Sequence, residues 1–290
     1  MIDLLGREFF QLALIAALLV GLCAPAVGTF IVQRRLALLG DGIGHVALTG
    51  VALGFLTGTA PVLTAVAVAI AGAVAIEVVR ARGRTSGDVA LALLFYGGIA
   101  GGVMLMGIAP GGSNAKLNAY LFGAIASVTR LDIWVIGGLA VAVLLVVGIF
   151  GRELFVLCQD EEMAKASGLP VRFLSLLIAV TAALTVVIAM RVVGLLLVSA
   201  LMVIPVATSQ QLTRGFRSTM LLAMLFGVIA AVGGLLVSSQ SAKVAPGAAI
   251  VLLALLGFVL ALGVGKFVRR GRSQETTVSQ RRGTSVKEVA

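Results

Sequence analysis

Residues Phe9 to Val32 read FFQLALIAALLVGLCAPAVGTFIV, a run with one amide, Gln11, one hydroxyl, Thr29, and no charge. At about 1.5 Å of rise per residue, a helix of this length crosses a hydrocarbon core of roughly 30 Å. In lipid every backbone polar group must be satisfied internally, which leaves helices and closed barrels as the spanning structures. The run is continuously apolar, whereas a barrel strand would alternate over about ten residues, so a helix is expected. It is too long for a signal-peptide core and lacks a basic lead segment, which makes it a retained first span.

Eight further stretches extend the pattern: Leu36 to Leu56, Pro61 to Val79, Val89 to Ile108, Ile133 to Phe150, Phe173 to Met190, Val192 to Ala207, Met220 to Val237 and Ala248 to Val268. A half-length stretch, Leu117 to Val128, is expected to lie at the surface or dip partway in, and is not counted as a span. Of the 290 residues, 60% are hydrophobic and 12% charged. The mean hydropathy of +1.15 excludes a water-soluble domain. The fold class is therefore all-α, a polytopic transmembrane bundle of about 8 to 9 spans. Its 36 glycines suit helices that pack closely in lipid.

The net charge of +10 does not point to nucleic acid, because the basic residues fall between apolar runs and in one terminal tail. Their placement sets orientation instead, since basic loops stay in the cytoplasm. With the N-terminus outside, 17 of the 22 basic residues are cytoplasmic, and only Arg7, Lys116, Arg130, Arg191 and Lys243 are left outside. The C-terminus is then cytoplasmic. Residues 1–268 form one membrane domain with a cytoplasmic loop at 152–172. Residues 269–290 are a basic, polar tail expected to be disordered and to touch anionic membrane lipid. The cysteines, Cys23 and Cys158, have neither metal-cluster spacing nor a disulfide framework.

Ionisable residues within a span cost about 2.5 to 3.5 kcal/mol on insertion scales, so each is a functional candidate. Asp41 and the single histidine, His45, are four apart in the second span and share one helical face. Counted from Arg35, His45 is expected near the midplane. A carboxylate and an imidazole suit Zn²⁺ or Mn²⁺ and are too few for a closed site, which fits transient ligation along a path. The other reading is an interhelical hydrogen bond joining Asp41 to His45 or to a neighbouring serine. Glu77, one turn before Arg80, reads as a snorkelling ion pair, and Asp88 as the cap of the fourth span.

The 152–172 loop contains Asp160-Glu-Glu162-Met-Ala164-Lys-Ala166-Ser-Gly168-Leu-Pro170, a short helix with a glycine stop and a proline beyond. It is a candidate docking element, or a plain solvated connector. Pro25 and Pro205 interrupt apolar spans and either line a cavity or act as packing kinks. No P-loop is present: Gly265-Lys266 is followed by Phe267 and lacks the upstream glycine. The chain is thus not expected to be an enzyme, and no permanently bound cofactor is expected.

Arg34-Arg35-Leu-Ala-Leu-Leu-Gly40-Asp41-Gly-Ile-Gly44-His45 resembles the second-span signature R-x-A-L-x-G-D-[AG]-[IL]-[SG]-H of bacterial zinc and manganese ABC importer permeases. Asp88-Val-Ala-Leu-Ala-Leu-Leu-Phe95 is similar to that family's D-x-A-[IL]-[GA]-x-x-F. Glu162-Met-Ala164-Lys-Ala-Ser-Gly168 resembles its E-x-A-x-x-x-G coupling helix. Val193-Gly194-Leu-Leu-Leu-Val198 through Ile204-Pro205-Val-Ala207 is similar to its V-G-x-L-L-V-x-A-L-L-x-I-P-A-A. The matches occur in order and cover nearly the whole chain outside the tail. Two positions depart: Gly44 stands where serine is common, and Lys243-Val-Ala-Pro246-Gly247 where many members have D-x-P-[ST]-G.

The resemblance implies an ABC importer permease in the bacterial plasma membrane, a homodimer served by two cytoplasmic ATPase subunits and an extracellular solute-binding protein. It places Asp41 and His45 on the metal path and Glu162, Ala164 and Gly168 on the coupling helix. Zinc is the expected cargo, with manganese or iron as alternatives. A proton-driven secondary transporter using Asp41 and His45 as a relay is the competing class.

Overall fold

The computed structural model describes residues 8–81, 87–109, 114–123, 129–240 and 244–263. The tail at 269–290 and Lys243 lie outside the described residues. Eleven α-helices and no strands occur among the described residues: α1 Glu8–Gln33, α2 Leu39–Thr57, α3 Pro61–Ala81, α4 Gly87–Ile108, α5 Asn114–Phe122, α6 Arg130–Gln159, α7 Glu161–Ala166, α8 Val171–Met190, α9 Leu195–Leu212, α10 Phe216–Ser239 and α11 Pro246–Gly263. Eight of them are long and apolar enough to cross a membrane, and α9 is a shorter apolar helix that carries the chain back between α8 and α10.

The bundle has a centre and a periphery. The most apolar stretches of α1 and α8 are 72% buried, against 17% for α6. Small residues let α1 sit at the centre: a Cβ on Gly28 would overlap the Met202 carbonyl of α9, and one on Gly227 of α10 would overlap Pro25. Association in lipid rests on such close contact. Neither proline ends its helix. Thr29 donates to the Pro25 carbonyl at 2.8 Å, and Ser209 to the Pro205 carbonyl at 2.9 Å. The contact of Pro25 with Gly227 marks it as a packing element of the α1–α10 interface.

The two ends of the bundle are chemically distinct. At one end Arg34 reaches Ser175 and Glu161, and Phe216 packs on Phe30 and Phe155. At the other, Arg191 pairs with Asp132, Gly123 touches Val192, and Gly247 touches Val193. The first end carries Arg34, Arg80, Lys165, Arg172, Arg214 and Arg217, and it is the cytoplasmic one by the positive-inside rule. Trp134, 83% exposed near the opposite end of α6, sits where an amphipathic ring anchors to the interface.

Several boundaries correct the sequence reading. Helix α6 runs to Gln159 instead of stopping near Phe150, because Leu154 and Leu157 continue its buried face. The cytoplasmic loop expected at 152–172 therefore narrows to α7 and its flanking turns. Helix α9 starts at Leu195 instead of Val192, since Gly194 has φ +87° and cannot continue a right-handed helix. Of the uncounted stretch Leu117 to Val128, the structure shows α5 ending at Phe122; 124–128 lie outside the described residues. Helix α4 begins at Gly87, so Asp88 falls within its first turn; its side chain is outside the described set.

Candidate metal path and coupling face

Helix α2 begins only at Leu39. The chain leaves α1 through a left-handed residue, Arg35 at φ +59°, with Arg35 N–H bonded to the Val32 carbonyl and Leu36 N–H to the Ile31 carbonyl. That is a Schellman stop in which arginine occupies the usual glycine position. Asp41 consequently sits in the first turn of α2, where the positive end of the helix dipole favours a carboxylate. His45 is about 9 Å from the helix start by its rise. The site therefore lies closer to the cytoplasmic end than the midplane position expected from counting at Arg35.

His45 is 6% exposed and held edge-on against Phe95 of α4, with ring centroids 4.6 Å apart. Gly98 of α4 allows this approach, since a Cβ there would stand 2.7 Å from the His45 backbone. Thr49, one turn on, donates to the Gly98 carbonyl at 2.9 Å and fixes the register of α2 on α4. Neither Asp41 nor His45 has a side-chain hydrogen bond among the described residues, and His45 Nδ1 is buried without a partner. The locking hydrogen bond of the alternative reading is thus not made. A second orphan lies beside the pair: the Ser199 hydroxyl of α9, buried and unpartnered, faces Gly40. Among the described residues no group of three or more His, Cys, Asp or Glu side chains could hold a metal ion.

Helix α7 forms as its residues dictate. Asp160 caps it, accepting from Glu162 N–H at 2.8 Å and Met163 N–H at 3.1 Å. Gly168, at φ +76°, ends it with Leu169 N–H on the Ala164 carbonyl and Gly168 N–H on the Lys165 carbonyl, again a Schellman stop. Ala164 is fully buried, so α7 is seated on the bundle, while Glu162 and Met163 project into solvent. Glu161 was missed by the sequence reading. It pairs with Lys165 at 2.9 Å and Arg34 at 3.4 Å. The Lys165 hydrogen bond, helped by the charges of Lys165 and Arg34, holds the Glu161 carboxyl below the ordinary carboxylate range against a smaller opposing effect of burial. Arg34 also donates to Ser175 of α8 at 2.9 Å, joining α1, α7 and α8. Glu77 pairs with Arg80 at 3.0 Å, as its spacing suggested.

No hydrogen bond or ion pair joins the α7 residues to Asp41 or His45 among the described residues, yet a short route connects them. Arg34 is gripped by α7, Arg35 is the strained stop beside it, and α2 starts four residues later. On the outer face, Thr129 and Asp132 form a capping box at the start of α6, and Asp132 takes Arg191 at 2.7 Å. The Arg191 guanidinium lies 5.4 Å above the Tyr120 ring of α5. The T-x-x-D pattern before an apolar run carried the capping signal; nothing local marked Arg191 as its partner.

This architecture recurs in known proteins. The chain is 36% identical to a chain of the solved structure of PsaBC from Streptococcus pneumoniae in complex with Fab, at a TM-score of 0.81, covering 90% of this chain and 93% of that one. An ABC transporter of metal-chelate type, 17% identical with a TM-score of 0.69, shares the fold. This chain is 37% identical over 259 residues to the manganese transport system membrane protein MntC of Halalkalibacterium halodurans, 89% of this chain and 88% of that one. The manganese import system permease protein ScaB of Streptococcus gordonii is 34% identical, covering 87% and 90%. With residues 6–265 matching the pattern that defines the ABC 3 transport family, the chain belongs to that family, as a multi-pass plasma-membrane permease of an ABC-type metal importer.

Proposed function

We propose that this permease imports Mn²⁺, with Asp41 and His45 as its transient ligands. The observation that carries the reading is the pair itself: a carboxylate and a buried imidazole nitrogen without a partner, one turn apart on a membrane helix. A buried, unpaired imidazole nitrogen is costly to keep and is suited to bind a cation. Carboxylate oxygen suits Mn²⁺, a single imidazole per chain does not select Zn²⁺, and the relatives MntC and ScaB are named for manganese. Manganese is therefore preferred here to the zinc expected from the sequence.

A two-ligand site is completed by symmetry. Two copies of this chain would bring two carboxylates and two imidazoles to one path, a stronger and still exchangeable set. Energy comes from separate ATPase subunits that dock on α7, with Glu162 and Met163 as the solvent-facing contact, Ala164 seating the helix and Gly168 ending it. A solute-binding protein delivers the ion to the outer face. Motion of α7 reaches α2 through Arg34 and the Arg35 stop, so that the two ligands change the side they face.

The test is metal uptake in cells lacking their own manganese and zinc importers, with this chain co-expressed with its ATPase and binding protein. Uptake of Mn²⁺ over Zn²⁺, lost in His45→Ala and Glu162→Ala at equal membrane levels, is the expected result. Equal preference for Zn²⁺ would overturn the cargo, and uptake without the ATPase would move the chain to the secondary-carrier class.

A further inference from the structure

On the periphery of the bundle a cavity of about 1000 Å³ lies between α6 and α10 over α1, with Phe155 of α6 and Phe216 of α10 in ring contact, centroids 4.6 Å apart, at its cytoplasmic end. Its depth is apolar, walled by Leu144 and Val147 of α6 and Leu221 and Met224 of α10. Arg152 and Arg217 line its cytoplasmic half, beside Phe155 and Phe216. From Arg152 back to Leu144 the wall runs about 12 Å along α6. No acidic residue lines the cavity, and neither arginine has an ion pair or hydrogen bond among the described residues. Leu221 is 63% exposed, so the cavity faces the hydrocarbon region alongside it.

An apolar slot reaching toward the membrane centre, with two uncompensated guanidinium groups in its cytoplasmic half, has the charge and polarity profile of one kind of occupant. We propose that it is a binding site for an anionic phospholipid of the inner leaflet, its headgroup phosphate between Arg152 and Arg217 and an acyl chain along Leu144, Val147, Leu221 and Met224. Basic pockets between spans on the cytoplasmic side recognise such headgroups, and arginine binds phosphate through a planar fork of donors. The chain's own tail is a poor alternative: residues 264–290 carry seven basic and two acidic side chains, like in sign to the two arginines.

The full chain is reconstituted in vesicles with Trp134→Phe, removing the single tryptophan, and Leu221→Trp, placing an indole in the slot. Brominated phosphatidylglycerol or brominated phosphatidylcholine of matched chains is titrated in, and quenching is read. Half-maximal quenching at a roughly tenfold lower mole fraction of the anionic lipid is expected, and Arg152→Gln with Arg217→Gln removes the preference. The control Arg214→Gln, outside the cavity on the same basic end, keeps it. Equal quenching by both lipids, or a preference surviving in the double variant, overturns the site. Weak quenching by either lipid would mean that protein covers the slot, which equally overturns it. Should the double variant fail to insert, the phospholipid retained by the wild-type chain through purification decides, with enrichment of the anionic class expected and bulk composition refuting.

Discussion

The Asp132–Arg191 pair offers a stability measurement whose size follows from its surroundings. Asp132 Oδ1 accepts from Arg191 at 2.7 Å, while Oδ2 accepts from Thr129 N–H at 3.0 Å and the Thr129 hydroxyl at 2.8 Å. Its side chain is 6% exposed and that of Arg191 18%. Breaking a buried pair by removing one partner costs about 3 to 5 kcal/mol, mostly from the charge left behind. The two ends of this pair are not equivalent. In Arg191→Met the Asp132 carboxylate keeps both Thr129 donors, so the loss falls at the low end, about 3 kcal/mol. Asp132→Ala strands the guanidinium, left only with the Tyr120 face, and also removes a cap worth about 1 kcal/mol. Its loss is then about 4 kcal/mol. The double variant strands nothing and falls well below the sum of about 7, giving a coupling energy of about 2 kcal/mol or more. The assay is reversible unfolding of the purified chain in mixed micelles of increasing denaturing detergent, followed by helical circular dichroism. A coupling energy under about 0.5 kcal/mol, or a larger loss in Arg191→Met than in Asp132→Ala, would refute the reasoning.

Other consequences follow from single positions. Arg35→Gly relieves a left-handed residue that costs about 1 kcal/mol, so the unfolding midpoint rises in the same assay. Gly168→Ala places a side chain in free space at φ +76°, so its cost is the backbone alone, about 1 kcal/mol, with Gly168→Asn costing less. Gly28→Val drives a branched side chain into the Met202 backbone; overpacking of about 1 to 3 kcal/mol and reduced membrane levels on immunoblots are expected. The Glu161 carboxyl is depressed on folding, so its contribution is complete above the ordinary carboxylate range and is lost as pH falls through the lower folded value. Amide exchange of α7 should accelerate only below that range in the wild type, and Glu161→Gln should remove this acid dependence.

The spans were legible because composition alone separates lipid-soluble helices from loops, and every one of the nine stretches contains the body of a helix. Their ends were not. The start of α2 depends on Arg35 adopting φ +59°, a conformation the sequence does not advertise for arginine, and that shift moved His45 away from the midplane. The end of α6 was obscured because Arg152 and Glu153 look like a loop, although the buried face resumes at Leu154. Asp41 and His45 could be picked out as rare ionisable residues in a span, and the α7 stop as a glycine followed by a proline. Phe95 against His45, Ser199 beside Gly40, and the grip of Arg34 on Glu161 join positions from 50 to more than 150 residues apart. Such contacts are set by packing, which no local pattern encodes.

The most direct test concerns the bond between the metal and the imidazole. The full transporter, assembled with its ATPase and binding protein and halted during turnover, is loaded with Mn²⁺ and its pulsed electron paramagnetic resonance spectrum recorded for modulation by a directly bound nitrogen. Ligation by His45 requires a nitrogen modulation that disappears in His45→Ala while the Asp41→Asn variant retains it with weaker Mn²⁺ binding. Bound Mn²⁺ with no nitrogen modulation, or an unchanged modulation in His45→Ala, would contradict the assignment of Asp41 and His45 to the metal path.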